Sequence, residues 1–231
     1  LGRAGNAAFP PVDNAFEQPD GLLAVGGDLA PERLLEAYRL GIFPWFSDGQ
    51  PILWWSPSLR TVFDTARAHV PRRLARWLRH CDWSIHADTA FAEVMRACAA
   101  PRRNDHGTWI TAEMLDAYAR LHELGHAHSI EVRDADGRLA GGIYGVALGR
   151  MFYGESMFSA QANGSKVALL AACRALHSWG FPLLDAQVAS DHLFTLGAQE
   201  MPRAVFCAHV ATLTAQPGRI GSWTRDFPAT M

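Results

Sequence analysis

Four stretches of the chain combine residue types that could do chemistry. The sharpest pattern is His122-Glu123-Leu124-Gly125-His126, an HExxH arrangement. Two histidines four apart on one helix face can bind zinc while the glutamate activates water. That chemistry needs a helix through both histidines, whereas the residues from His126 onward alternate like a strand, so His126 is expected to leave the face that carries His122. The longer protease pattern also lapses, with Ser129 and Val132 where Gly and His belong. Ser156, in Gly154-Glu155-Ser156-Met157, lacks the GxSxG elbow that exposes a serine nucleophile. Its neighbour Glu155 stands among Met151, Phe152, Tyr153, Met157 and Phe158, where an acid needs a partner or a task. Asp185 and Gln187 are polar on an otherwise apolar run, and a spacing of two puts both on one face of a strand. A structural hydrogen-bond network and a reactive site remain equally open for this pair. Finally, Gln161 to Lys166 offers free amides to an anion at a helix N-terminus, with a plain cap beside a solvated lysine as the other reading. No Walker-type loop or dinucleotide fingerprint occurs.

The elements that must position these residues follow from periodicity and punctuation. Asp28 and then Pro31-Glu32 open a helix whose buried face is Leu34, Leu35 and Tyr38, and Gly41 ends it. Residues 51–57 form an aromatic run between prolines, read as an extended segment leading to a boundary near residue 62. The piece before that boundary is too small to hold a core alone and is expected to pack on the rest. Helices are predicted at about 70–80 and 89–99, and Thr111 caps another built on Met114, Leu115, Tyr118 and Leu121. A strand at 128–133 meets the Asp134-Ala135-Asp136-Gly137 turn, followed by strands at roughly 138–148 and 150–158. A helix from Asn163–Ser165 to Trp179 closes on Gly180, and 183–187 reads as a buried strand. The order gives a mixed α/β fold with a partly antiparallel sheet.

The 231 residues are 49% hydrophobic and 19% charged, which fits a folded chain and excludes a disordered one. A net charge of −2 makes the molecule as a whole no electrostatic trap for nucleic acid. Any such binding must use a local patch, for which Arg67, Arg72, Arg73, Arg76 and Arg79 are the candidates, with Arg102 and Arg103 beyond; a solvated helix face is the alternative. Cys81, Cys98, Cys173 and Cys207 are scattered without CxxC pairing, no cationic apolar leader opens the sequence, and no apolar run reaches transmembrane length. A cytoplasmic protein with reduced cysteines is expected.

Several long and unusual stretches stand in order along the chain: GLLAVGGDL at 21–29, GIFPW at 41–45, ILWWSP at 52–57, GTWI at 107–110, GGIYG at 141–145, GESMFS at 154–159, and His192-Leu193 before Leu196-Gly197-Ala198. Together they resemble the leucyl/phenylalanyl-tRNA–protein transferase family, across most of the chain. Two departures stand out: Asp185-Ala186-Gln187 where the family usually has Asp-Cys-Gln, and Asn163-Gly164-Ser165-Lys166 where it usually has Asn-Ala-Ser-Lys. Without the cysteine, no thiol nucleophile is expected there.

The resemblance implies a small N-terminal domain, taken as 1–62, and a larger acetyltransferase-like (GNAT-like) domain, taken as 63–231. It implies transfer of Leu or Phe, with Met a further candidate, from aminoacyl-tRNA to the α-amine of proteins beginning with Arg or Lys, marking them for degradation by the N-end rule. No cofactor, metal or membrane is expected. Gln187 is implied to contact the attacking amine, Asp185 to orient Gln187, and Glu155 to lie at the same site. Trp45, Trp109, Phe152, Met157 and Ser178 are implied around the donor's side chain and terminal adenosine, with Ile143, Leu176 and Leu184 as further wall. Three rivals are kept: a coenzyme-A-dependent N-acyltransferase using the 161–166 turn, a zinc peptidase using 122–126, and a tRNA-binding protein without activity. Against the first, Lys166 stands where a pyrophosphate loop wants a small residue.

Overall fold

The computed structural model describes residues 1–2, 8–100 and 109–228. The N-terminal part holds β1 (Leu22–Val25), α1 (Pro31–Arg39), β2 (Phe43–Pro44) and β3 (Leu53–Trp55). Its three strands form one antiparallel sheet in the order β1-β3-β2. Helix α1 begins with Pro31 and buries Arg33, Leu34, Ala37 and Tyr38. Leu35, expected on that face, is only half-buried because Ala37 fills the stripe beside Tyr38. Asp28 is not the cap residue itself; it accepts the Ala30 N–H and the Arg33 guanidinium.

Next come β4 (Leu59–Asp64), α2 (Arg72–Leu78), β5 (Ser84–Ala87), α3 (Phe91–Ala99) and α4 (Ala112–Glu123). The Thr111 hydroxyl caps α4 by accepting the Met114 N–H. Strands β6 (Ala127–Arg133), β7 (Leu139–Leu148) and β8 (Met151–Ser159) form a meander, and α5 (Gly164–Ser178) leads to β9 (Leu183–Gln187). The short α6 (Asp191–Phe194), β10 (Gln199–Pro202) and α7 (Arg203–Thr214) complete the order. Strands β4, β5 and β10 and helix α7 carry no signal that the sequence reading caught; each strand is short and makes sense only beside its partner. Residue 62, the expected boundary, lies inside β4.

The seven-stranded sheet runs β10-β4-β9-β8-β7-β6-β5. Every pair is antiparallel except β8 and β9, which α5 connects as a crossover. One face carries α1, α3, α4 and α7, and its core joins Tyr38, Phe43 and Trp54 of the N-terminal part to Tyr144, Tyr153 and Phe206. The small part therefore shares a core with the large sheet. The other face is covered by α5, α2 and a C-terminal segment anchored by Trp223 and Phe227. No helix among the described residues is long and apolar enough to cross a membrane.

Candidate active site

The parallel pair β8–β9 is hydrogen-bonded only from Met151–Tyr153 to Leu183–Asp185, although β8 runs on to Ser159. Two irregularities sit where that pairing stops. On β8, Tyr144 pairs with Ser156 and Gly145 with Gly154, so Glu155 is an extra residue with no partner on β7. On β9, Thr61 pairs with Gln187 and Val62 with Asp185, leaving Ala186 extra. A bulge bends its strand and re-aims side chains. Its effect is visible in the parity of β8: Met151 and Tyr153 pack into the helix α1/α4 core and Phe152 into the α5 core, but beyond the bulge Phe158 joins the first core and Met157 the second. The strands part here, and a pocket of about 380 Å³ opens between them, within the usual range for small-ligand sites.

Glu155 and Gln187 meet at the floor of this pocket. The Gln187 side-chain amide donates from Nε2 to Glu155 Oε1 at 3.0 Å, which leaves its carbonyl oxygen without a partner among the described residues. Glu155 Oε1 also contacts Tyr38 Oη at 2.8 Å, and Oε2 contacts Tyr118 Oη at 3.0 Å. Burial pushes the Glu155 carboxyl up to about 7, against the opposing influence of its hydrogen bonds. Burial, with Glu155 alongside, likewise raises the Tyr38, Tyr118 and Tyr144 hydroxyls. Asp185 is fully buried and accepts two bonds from Arg60, Nε at 2.9 Å and Nη2 at 2.7 Å. The guanidinium lies between the rings of Phe43 and Phe206 and donates its remaining bond to Gly41 O. Asp185 reaches Gln187 through the backbone, accepting the Gln187 N–H at 2.8 Å. This bond holds Gln187 at φ +63°, a left-handed conformation that a non-glycine residue adopts only when its surroundings impose it. Asp185 thus sets the backbone of Gln187, and Glu155 sets its side chain.

Of the residues expected at the site, Trp45, Trp109, Ile143, Glu155, Met157, Leu184 and Gln187 line the pocket. Asp185 stands behind it. Phe152 and Leu176 are buried in the α5 core and are not among the residues that line the pocket. Ser178 closes the last turn of α5 by donating to Ala175 O, and is not a wall residue either. Sequence reasoning missed Phe43, Leu169, Val188 and Leu193 as wall, and Arg60, Tyr38 and Tyr118 as polar support. Phe43 and Leu193 lie within stretches already singled out. Arg60 had no local signal, since only the β4–β9 pairing brings it to Asp185.

The remaining motifs fall elsewhere. Helix α4 ends at Glu123, and Gly125 at φ +77° turns the chain so that His126 begins a different path. His122 Nδ1 bonds Ala127 O and its ring stacks on Phe91. The two histidines do not share a helix face, and no group of three metal-ligating side chains occurs among the described residues. Ser156 lines the pocket but its hydroxyl bonds no base among those residues. In the 161–166 turn, Gly164 N–H is taken by Gln161 O and Ser165 N–H by Ser159 Oγ, so two of the amides that an anion would need are already engaged. Arg72, Arg73, Arg76 and Arg79 are exposed on and just after α2, which docks through Leu74; Arg67 is exposed and pairs with Asp64. Arg102, Arg103, Gly107 and Thr108 lie outside the described residues.

Residues 62–211 match the family model described as leucyl/phenylalanyl-tRNA protein transferase, and residues 27–58 match the model of that protein's N-terminal domain. A leucyl/phenylalanyl-tRNA–protein transferase of Xanthomonas campestris pv. campestris (strain B100) is 59% identical over 95% of this chain and 88% of its own length. One of Thiobacillus denitrificans is 55% identical over 94% of this chain and 95% of its own. Among solved structures, L-PGS from Bacillus licheniformis aligns at 10% identity and TM-score 0.40, over 72% of this chain and 53% of that one.

Proposed function

The chain belongs to the leucyl/phenylalanyl-tRNA–protein transferase family, and on that premise we propose that it moves Leu or Phe, and Met as a third donor, from aminoacyl-tRNA to the α-amine of proteins beginning with Arg or Lys. The observation that carries the reading is the Gln187 amide, clamped by Asp185 at its backbone and Glu155 at its Nε2, with its carbonyl oxygen at the pocket floor unpartnered among the described residues. A carboxamide is too weak a base to take a proton outright. It accepts a hydrogen bond from the incoming amine and aims the nitrogen lone pair at the ester carbonyl. An α-amine titrates near ~7.7, so a useful neutral fraction exists near neutral pH.

The donor is an activated ester, so the exchange is downhill without a cofactor. A C–N bond forms, the C–O bond to the terminal ribose breaks, and the amine's proton passes to the departing ribose oxygen. Orientation supplies the main gain, since well-placed reactants lower a barrier by roughly 7–11 kcal/mol. The apolar walls of Met157, Ile143 and Leu184 take the donor side chain, and the indoles of Trp45 and Trp109 offer stacking faces to the terminal adenosine. Such a pocket discriminates weakly among large apolar side chains, because one methylene is worth only about 1–3 kcal/mol. Arg67, Arg72, Arg73, Arg76 and Arg79 meet the tRNA phosphates. Labelled proteins are then passed to degradation in the cytoplasm.

The test mixes the purified protein with radiolabelled Phe-tRNA and peptides starting with Arg or Gly, with and without chelator, beside an acetyl-CoA arm. Label on the Arg peptide alone, resistant to chelator, is the expected result. Acyl transfer from coenzyme A, or no label on the Arg peptide, overturns the reading.

A further inference from the structure

Three contacts tie Tyr38, Tyr118 and Glu155 into a ring. Tyr38 Oη lies 2.5 Å from Tyr118 Oη and 2.8 Å from Glu155 Oε1, and Tyr118 Oη lies 3.0 Å from Oε2. Neither tyrosine has any exposed surface, and Glu155 is also buried. A phenol brings one proton, and a carboxylate brings none. With an ionised Glu155, two protons must serve three contacts, and one pair of oxygens is left facing each other away from water. If both hydroxyls donated to the carboxylate, the bare pair would be Tyr38 and Tyr118, the shortest contact of the three.

A neutral carboxyl supplies the missing proton. Glu155 then donates from Oε2 to Tyr118, Tyr118 donates to Tyr38, and Tyr38 donates back to Oε1. This direction leaves Oε1 free of hydrogen, so it also accepts from Gln187 Nε2 as observed. The reverse direction would put the proton on the very oxygen that Gln187 needs.

We infer that Glu155 works as the neutral acid closing this three-proton ring, and that Tyr38 and Tyr118 are positioning residues that hold Gln187 through it. The surroundings favour a neutral group. From α1 and α4 it meets the two tyrosines, and from β7 the Tyr144 hydroxyl, which has no hydrogen-bond partner among the described residues; Cys98 of α3 stands near Tyr144. From β9 it faces Asp185, whose charge is matched by Arg60 of β4, so among the described residues no unpaired cation stabilises a second carboxylate. The raised pKa of Glu155 agrees with the proton count. A neutral Glu155 cannot take the amine's proton, which therefore goes to the departing ribose oxygen. The positioning role rests on the transferase reading; the proton assignment does not.

The experiment follows the carboxylic C=O stretch of Glu155 by infrared difference spectroscopy, wild type minus Glu155→Gln, across a pH titration of the full chain. A protonated band is expected below pH ~7. In Tyr38→Phe and in Tyr118→Phe the midpoint falls by roughly one pH unit, because the neutral ring loses two hydrogen bonds and the carboxylate only one. A midpoint that rises or stays put in these variants, or an ionised Glu155 at pH 6, overturns the ring. Tyr144→Phe, which removes a buried hydroxyl outside the ring, controls for loss of an oxygen and leaves the midpoint in place. Transfer assays on the same variants test the positioning role: kcat falls and KM for the acceptor moves less, whereas a change confined to KM overturns it. Absence of transfer in the wild type, with the band titrating as described, would sink the transferase reading while keeping the ring.

Discussion

Gln187 is held at both ends by residues two positions before it and one strand away, and each hold has a different energetic character. The Glu155 clamp aims a side chain, so its loss should appear in turnover. Gln187→Ala is expected to lower kcat on the order of 10²-fold with the fold intact, as steady-state transfer to an Arg peptide would reveal. Near-normal turnover would remove Gln187 from the mechanism. The Asp185–Arg60 pair belongs instead to stability, because both groups are buried and, among the described residues, each makes its hydrogen bonds with the other and with backbone. Arg60→Ala leaves an uncompensated buried carboxylate, and urea unfolding should show a loss of about 3–5 kcal/mol. A loss under ~1 kcal/mol would mean that water reaches Asp185. Glu155, Asp185 and Gln187 were legible from their chemistry among apolar neighbours and from the family stretches that hold them. Arg60 was not, since an arginine in an alternating strand looks solvent-facing until its partner strand is known.

At the scale of elements, long periodic segments declared themselves, whereas of the short ones α2 and β9 did and β4, β5 and β10 did not. Helices α1, α3, α4 and α5 and the β6–β7–β8 meander carry enough residues for period and turn chemistry to agree, and they lie within a few residues of their predicted limits. Strands β4, β5 and β10 have only four to six residues each and take their form from pairing, which is non-local. The bulges at Glu155 and Ala186 were equally hidden, because a bulge is defined by the partner strand that fails to match it. Yet they sit where the parallel pairing stops and the pocket opens. Helix α2 presents its own test. Its arginines are exposed without a carboxylate partner among the described residues, as a phosphate-binding face would be. Arg72→Glu with Arg76→Glu is expected to weaken tRNA binding and to make the plot of log affinity against log salt shallower by about 1 to 2. An unchanged slope would return α2 to the role of an ordinary solvated helix.

Across the whole molecule, the buried ring couples the site to the stability of the core that joins the two sheets, since Tyr38 comes from the N-terminal part and Tyr118 from the large one. A carboxyl raised from 4.5 to about 7 binds its proton more tightly when folded. Its contribution to stability is therefore complete below pH ~4.5, declines as pH rises, and is lost above pH ~7, a change of roughly 3 kcal/mol. Glu155→Gln cannot titrate, so the stability difference between wild type and this variant should shrink in favour of the variant across that window. Chemical denaturation at pH 5 and pH 8 measures it, and a difference independent of pH would show that folded Glu155 is already ionised at pH 5, as it is in the unfolded chain. Asp88 and His128, which titrate in both proteins, cancel in the comparison. Composition, periodicity and the order of unusual stretches were sufficient for the fold class and the family, and for singling out Glu155 and Gln187, which line the pocket, because each is carried by a residue type or by neighbours along the chain. The proton ring, the Arg60 support, the splayed pocket and the dispersal of the HExxH histidines depend on contacts between residues as far as 125 positions apart. Those contacts follow from strand register and helix docking, and no local pattern encodes them.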